Sequence, residues 1–173
     1  MEESVFLHKA GDFVSYKQNG ICKIKGIFKG EFAFLGEKQY YELSPIYDPK
    51  TVIFVPLDSP ELLSGMQHIL SKDEIDSIIK ESESKESLWI DDQKERAKAF
   101  QNILMGKDRA KILWIVKNLS LYKIKLEEEK KKLYASDARI LEAAQKAITE
   151  EFAFVLGIKR EEVVPYIIEK LNN

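Results

Sequence analysis

The hydrophobic period changes once along this chain, near residue 70, and that change limits what the chain can fold into. Before it, apolar residues alternate with polar ones, the repeat of a half-buried strand. After it they recur at three- and four-residue intervals, the repeat of an amphipathic helix. Residues 12–16 (DFVSY), 21–28 (ICKIKGIF), 39–43 (QYYEL), 51–55 (TVIFV) and 66–70 (MQHIL) read as five short strands. Gln18-Asn19-Gly20, Gly30, Gly36, Asp48-Pro49 and Pro56 punctuate them as turns. Strands this short and this closely spaced predict a small, strongly bent sheet or barrel.

Beyond residue 70 the signals are those of helix starts and stops. Ser71-Lys72-Asp73-Glu74 has the capping-box pattern, and Ile75, Ile78 and Ile79 follow as an apolar stripe. The run from Glu81 to Ser87 holds only charged and hydroxyl residues and reads as a linker. A helix is expected over 91–104 with a stop at Gly106, and a second from Asp108 with Ile112, Ile115, Val116, Leu119 and Tyr122 on one face. A third opens at Ser136-Asp137 and ends at Gly157. A short last helix starts at Lys159-Arg160, with Pro165 near its first turn or kinking it. The fold class is thus α+β: a β module over 1–70, a short helix and polar linker over 71–88, and an all-α domain over 89–173.

Net charge hides an asymmetry. The whole chain is −2, but residues 1–90 carry 10 Lys and Arg against 15 Asp and Glu, whereas residues 93–132 carry 12 against 5. A basic helical pair behind an acidic front half fits a polyanionic partner, and it equally fits a solvated helix face. Lys130-Lys131-Lys132 after Glu127-Glu128-Glu129 fits surface pairing at three- and four-residue spacing.

Catalytic signatures are missing from the sequence. It has no phosphate-cradling loop and no dinucleotide fingerprint, and its two histidines, His8 and His68, lack metal-ligand spacing. The lone Cys22 allows no internal disulfide and suits a reducing compartment. The acidic opening, Met1-Glu2-Glu3-Ser4, does not read as a signal peptide, and no apolar run approaches a membrane span. The expectation is a cytoplasmic, non-enzymatic monomer without cofactors.

Trp89 stands between the polar run and Asp91-Asp92. Such a ring either packs under the next helix against Phe100 and Leu104, or awaits a partner. Trp114, among Leu113, Ile115 and Val116, reads as core.

Several stretches together carry a resemblance. HKAGDFVSYKQNGICKIKGI (8–27), with Gly11-Asp12, Val14, Tyr16, Gly20 and the alternating strand after it, resembles the opening of CarD-like (CdnL) bacterial transcription regulators. VIFVPLD (52–58), the lone Trp89, LMGKDRAKILWIVKNL (104–119) and ASDARILEAAQKAITEEFAFVLGI (135–158) are similar to later parts of that family, in order. The resemblance implies a Tudor-like β module that docks on the β subunit of bacterial RNA polymerase, with Lys25, Lys29 and Phe54 on the docking strands. Phe54 stands where some relatives carry a polymerase-contacting Arg. It further implies a helical domain at the upstream edge of the promoter bubble, where Trp89 wedges into the minor groove without sequence choice. Lys94, Arg96, Lys98, Lys107 and Arg109 would then position that domain on phosphates. Asp91 and Asp92 depart from the basic residues of many relatives at this point. The expected function is a non-catalytic regulator that stabilises the promoter open complex. The alternative is a protein–protein adaptor that binds the polymerase without touching DNA.

Overall fold

The structure, a computed structural model, describes residues 7–32, 36–84 and 87–173. The chain divides into two compact units, Met1–Ile69 and Leu70–Asn173.

The first unit is a five-stranded antiparallel sheet. Its strands are β1 (Phe13–Tyr16), β2 (Ile21–Glu31), β3 (Glu37–Pro45), β4 (Ile53–Pro56) and β5 (Met66–Gln67), in the order β4-β3-β2-β1-β5. Lys17–Asn19 forms a 3₁₀ turn between β1 and β2, and Pro60–Leu63 forms a one-turn helix, α1, that the sequence reading does not anticipate. Ser59 caps α1 through its hydroxyl, and Pro60 fills its first position, where a missing N–H costs nothing.

β2 and β3 form the long hairpin. Their register shifts between Ile24 and Gly26, where a β-bulge places an extra residue, Lys25, on β2. Gly26 has φ +152°, a conformation that side-chain-bearing residues avoid, so this bend is built on glycine. One face of the sheet carries the core: Val14, Tyr16, Cys22, Ile24, Tyr41, Leu43, Val55 and Met66. The long strands continue past the bulge, which leaves a second face at the far end of the hairpin.

The second unit is a helical bundle. It comprises α2 (Lys72–Ser84), α3 (Gln93–Gly106), α4 (Arg109–Glu128), α5 (Ala135–Leu156) and α6 (Arg160–Asn172). Its start signals are local and operate as read. The Ser71 hydroxyl accepts from Glu74 N–H at 3.2 Å while Glu74 Oε2 accepts from Ser71 N–H at 2.7 Å. Asp92 accepts from Glu95 N–H, and Asp108 from Lys111 N–H. Gly157 ends α5 with φ +65°. Pro165 lies inside α6 as its sixth residue, on an exposed side of the helix.

The polar run from Glu81, expected as a linker, is helical through Ser84; residues 85–86 lie outside the described residues. Ser82 is buried and returns its hydroxyl to the Ile79 carbonyl at 2.7 Å, and Glu83 pairs with Lys117 on α4. The Ser82 hydroxyl thus finds a partner within its own helix, whereas Glu83 meets one 34 residues away that no local pattern reveals. Helix α2 also shares the bundle core, since Ile75 and Ile79 are fully buried in the same cluster as Phe100, Ile115, Leu119 and Phe152. Its far end is tied to α6: Asp76 accepts from Tyr166 Oη at 2.6 Å and Lys170 Nζ at 2.8 Å. Partial burial alone would push the Asp76 carboxyl up. The hydrogen bonds from Lys170 and Tyr166, with the charges of Lys170 and Lys72, outweigh it and hold the carboxyl below its ordinary value.

Candidate functional site

Two surface features stand out, one in each unit. In the first unit, Phe28, Phe32, Tyr40 and Phe54 cluster at the far end of the sheet. Phe28 and Phe54 ring centroids are 5.1 Å apart, Phe32 and Phe54 4.9 Å, and Phe32 and Tyr40 5.0 Å at 87°. Strand register explains the grouping. Phe28 pairs with Tyr40 across β2 and β3, and Tyr40 with Pro56 across β3 and β4, so these side chains share a face. The pairs Ile27–Tyr41 and Tyr41–Val55 put the core residues on the other face. Gly30 lets the Phe28 ring lie across the strand, since a Cβ at residue 30 would overlap that ring. Phe28 and Phe32 remain 39% and 37% exposed, too open for a core. The Tyr40 hydroxyl beneath them is buried and has no hydrogen-bond partner among the described residues. Beside the patch, β4 is an edge strand of the sheet.

Of the three residues expected on this docking face, Phe54 lies in the cluster. Lys25 is exposed at the bulge, and Lys29, next to Phe28, projects from the opposite face. Phe28 and Phe32 were missed by the sequence reading. Phe28 and Phe54 share one face of β2 to β4 through Tyr40, whereas Phe32 lies just past the end of β2.

In the second unit the feature is Trp89, which is half-buried. Its indole meets Tyr122 edge-on at 4.9 Å and 68°, and Phe100 at 6.5 Å and 65°. Phe100 in turn stands edge-on to buried Trp114 at 6.2 Å. Trp89 Nε1 donates to Asp91 Oδ1 at 3.1 Å. A shallow cleft of about 350 Å³ opens here, lined by Trp89, Asp91, Arg96, Asn118, Tyr122 and Lys125. One side of the ring packs on Phe100, as the packing reading expects, while the rest faces this cleft.

Arg96 is the main correction. Expected on phosphates, it is only 2% exposed, and its guanidinium sits 4.8 Å from the Trp89 ring centroid and 5.8 Å from that of Tyr122. Nη2 donates to Asp137 Oδ2 at 2.6 Å and Nε to Asp137 Oδ1 at 3.4 Å; Asp137 is fully buried. Nη1 donates to the carbonyls of Ile90 and Asp91 at 2.8 and 3.0 Å. Arg109 is a second correction. It makes a two-pronged pair with Glu151, at 2.9 and 3.1 Å, in which both side chains are nearly covered. Neither arginine presents its charge to solvent, because each lies on the inward stripe of its helix. Arg96 precedes Phe100 by one turn, and Asp137 leads the stripe of Ile140, Leu141 and Ala144. Glu151 follows Ile148 and precedes Val155 at the same spacing. A charge on an apolar stripe in each of two helices is the signal that would have revealed both pairs.

The lysines divide as well. Lys94 and Lys98 are exposed one turn apart on α3, on the side away from Arg96 and Phe100. Lys107 is half-buried and supplies the left-handed C-cap of α3, with φ +55°. Lys125, not anticipated, is exposed and lines the Trp89 cleft.

Among the described residues no cluster of His, Cys, Asp and Glu could hold a metal ion, and no helix is long and apolar enough to cross a membrane.

A small antiparallel sheet with an apolar patch next to an open edge defines a protein-interaction module rather than a reaction centre. Residues 8–70 match the family model of the CarD-like/TRCF RID domain, a family that interacts with RNA polymerase, so this stretch of the chain is similar to that domain. The match ends where the helical unit begins. No curated protein matches the chain.

Proposed function

We propose that this protein is a transcription regulator that bridges RNA polymerase and promoter DNA and prolongs the open complex. The first unit docks on the β subunit, with Phe28, Phe32 and Phe54 as the apolar centre of the contact and Lys25 at its rim. Solvent-facing aromatics that fill a partner's pocket contribute disproportionately to affinity. An incoming backbone or side chain can also satisfy the buried Tyr40 hydroxyl, which is otherwise costly to leave unpaired.

The helical unit then presents Trp89 to DNA at the bubble edge. The observation that carries this reading is a half-exposed tryptophan beside Lys125, at a position that resembles the family's wedge. A wedge in the minor groove exchanges base stacking, a few kcal/mol per step, for contact with distorted DNA. At a bubble edge that stacking is already lost, so the wedge favours open DNA and shifts the population without catalysis. Lys125 holds phosphate next to the ring, and Lys94 and Lys98 add a second strip of positive charge; Lys107 lies at the turn between α3 and α4. Arg96 and Arg109 have no part in phosphate binding.

Open-complex lifetime on purified bacterial RNA polymerase tests this, measured without protein, with wild type and with Trp89→Ala. The expected result is a longer lifetime with wild type that Trp89→Ala largely abolishes. Equal lengthening by both proteins would remove Trp89 from the mechanism. No effect from either, with polymerase binding intact, would favour the adaptor reading, which the exposed carboxylates of Asp91 and Asp92 beside Trp89 support.

A further inference from the structure

Trp89 lies in a segment without regular secondary structure, residues 87–92, yet its ring has a defined environment. The ring packs on Phe100, and of four further contacts that place it three lead to one residue. Arg96 hydrogen-bonds the carbonyls of Ile90 and Asp91, the two residues that follow Trp89. Its guanidinium carbon sits 4.8 Å from the indole centroid, close enough for a cation–π contact. It lies against Tyr122 as well, the ring that meets Trp89 edge-on. The fourth contact, from Trp89 Nε1 to Asp91, depends on the same segment, because Arg96 fixes the Asp91 backbone. The guanidinium is itself held by Asp137, on the first turn of α5, 41 residues away.

We propose that Arg96, locked onto Asp137, is the positioning residue that sets the Trp89 indole at the surface of the helical unit. Its charge is spent inside the protein: it ties the 87–92 segment to the first turn of α5 and sets a cation beside the ring. Lysine cannot substitute, since a single ammonium cannot bind a carboxylate in two places, reach two carbonyls and stack on a ring together. The proposal rests on the DNA-facing reading of Trp89 for its functional consequence, but not for its structural content.

The test uses full-length protein labelled with 5-fluorotryptophan. Its two ¹⁹F resonances belong to Trp89 and Trp114, the only tryptophans of the chain, and Trp89→Phe assigns them. In Arg96→Lys, at a temperature well below unfolding, the Trp89 resonance is expected to shift toward the free amino acid and broaden, while that of Trp114 stays in place. The same variant should lose most of the open-complex lengthening while its polymerase affinity is kept. An Arg96→Lys protein whose Trp89 resonance coincides with wild type overturns the proposal. So does one in which both resonances move together, because that marks a general packing role.

A measurement on the wild type covers the case of a variant that does not fold. The Arg96 Nε–H should exchange slowly and show cross-relaxation to Trp89 ring protons; rapid exchange, or no such cross-relaxation, also overturns the proposal. If Arg96→Lys frees the ring but Trp89→Ala leaves the open-complex lifetime unchanged, the positioning stands and the wedge reading falls.

Discussion

The two units keep aromatic rings at their surfaces by opposite means. In the sheet, Phe28, Phe32 and Phe54 hold one another; strand alternation puts Phe28 and Phe54 on the face away from the core, and Phe32 joins them from just past the end of β2. In the bundle, Trp89 has no strand or helix to orient it and is held through a buried arginine whose counter-ion sits on another helix. A patch set by alternation can lose one ring and keep its shape. A ring set by a buried ion pair depends on every member of the chain of contacts. The first arrangement suits a broad docking face, and the second suits a single probe that must point one way.

The contrast is tested most severely at Arg96. Arg96→Met leaves the Asp137 carboxylate buried without its partner, and about 3–5 kcal/mol of stability should be lost. Hydrogen exchange should then lose protection across α3 and α5 while β1–β4 keep theirs. Adding Asp137→Leu should recover most of the stability by removing the stranded charge, without restoring the Trp89 environment.

Leu43→Ala makes the matching cut in the sheet. Leu43 is fully buried, and its truncation should cost roughly 2–5 kcal/mol, with lost protection confined to the first unit. If protection spread to α3–α5, the two units would not be separately stable, and the comparison would fail.

A smaller effect belongs to the tie between α2 and α6. Because the Asp76 carboxyl is held below its ordinary value of 3.8, its stabilisation is full above that value and drains away as pH falls through the lower, folded value. Lys170, raised first by its hydrogen bond to Asp76, stabilises below its ordinary 10.5 and loses that contribution as pH rises past the folded value. Asp76→Asn should cost about 1 kcal/mol at neutral pH, given the partial exposure of the pair. Thermal melts from pH 2 to 7 should show a shallower acid limb in the variant than in wild type.

The smallest stability change is expected at the aromatic patch. Phe54→Ser should cost under about 1 kcal/mol, as a partly exposed position outside the core, yet weaken polymerase binding by roughly tenfold or more. Calorimetry on the isolated polymerase β subunit would check this. A Phe54→Ser protein that binds as well as wild type would leave the patch without its assigned role.

What was legible in the sequence follows the range of the forces involved. Caps act within one turn, so Ser71 with Glu74, Asp92, Asp108 and Gly157 marked helix ends closely. Alternation is also local, and it gave β1 to β4 to within a few residues. The site was less accessible because its chemistry is long-range. Arg96 and Arg109 were counted with a basic patch when each is neutralised by an acid more than 40 residues away. Phe28 read as an ordinary strand residue and Phe32 as part of a turn until the rings were found together with Phe54. The end of α2 looked like a linker because its polar residues find partners, such as Lys117, far along the chain.

Helix α2 has one more consequence, for the order in which the protein takes shape during synthesis. The strand pairings of the sheet all lie within residues 13–67, so every partner in them is made before the helical unit. Helix α2 emerges next, but the partners of Asp76 lie 90 and 94 residues downstream, on the last helix. Ile75 and Ile79 gain core partners earlier, from Phe100, Ile115 and Leu119, so the Asp76 tie is the late step. The sheet thus precedes a bundle whose α2–α6 tie closes late, and a prematurely terminated chain would carry the first without the second.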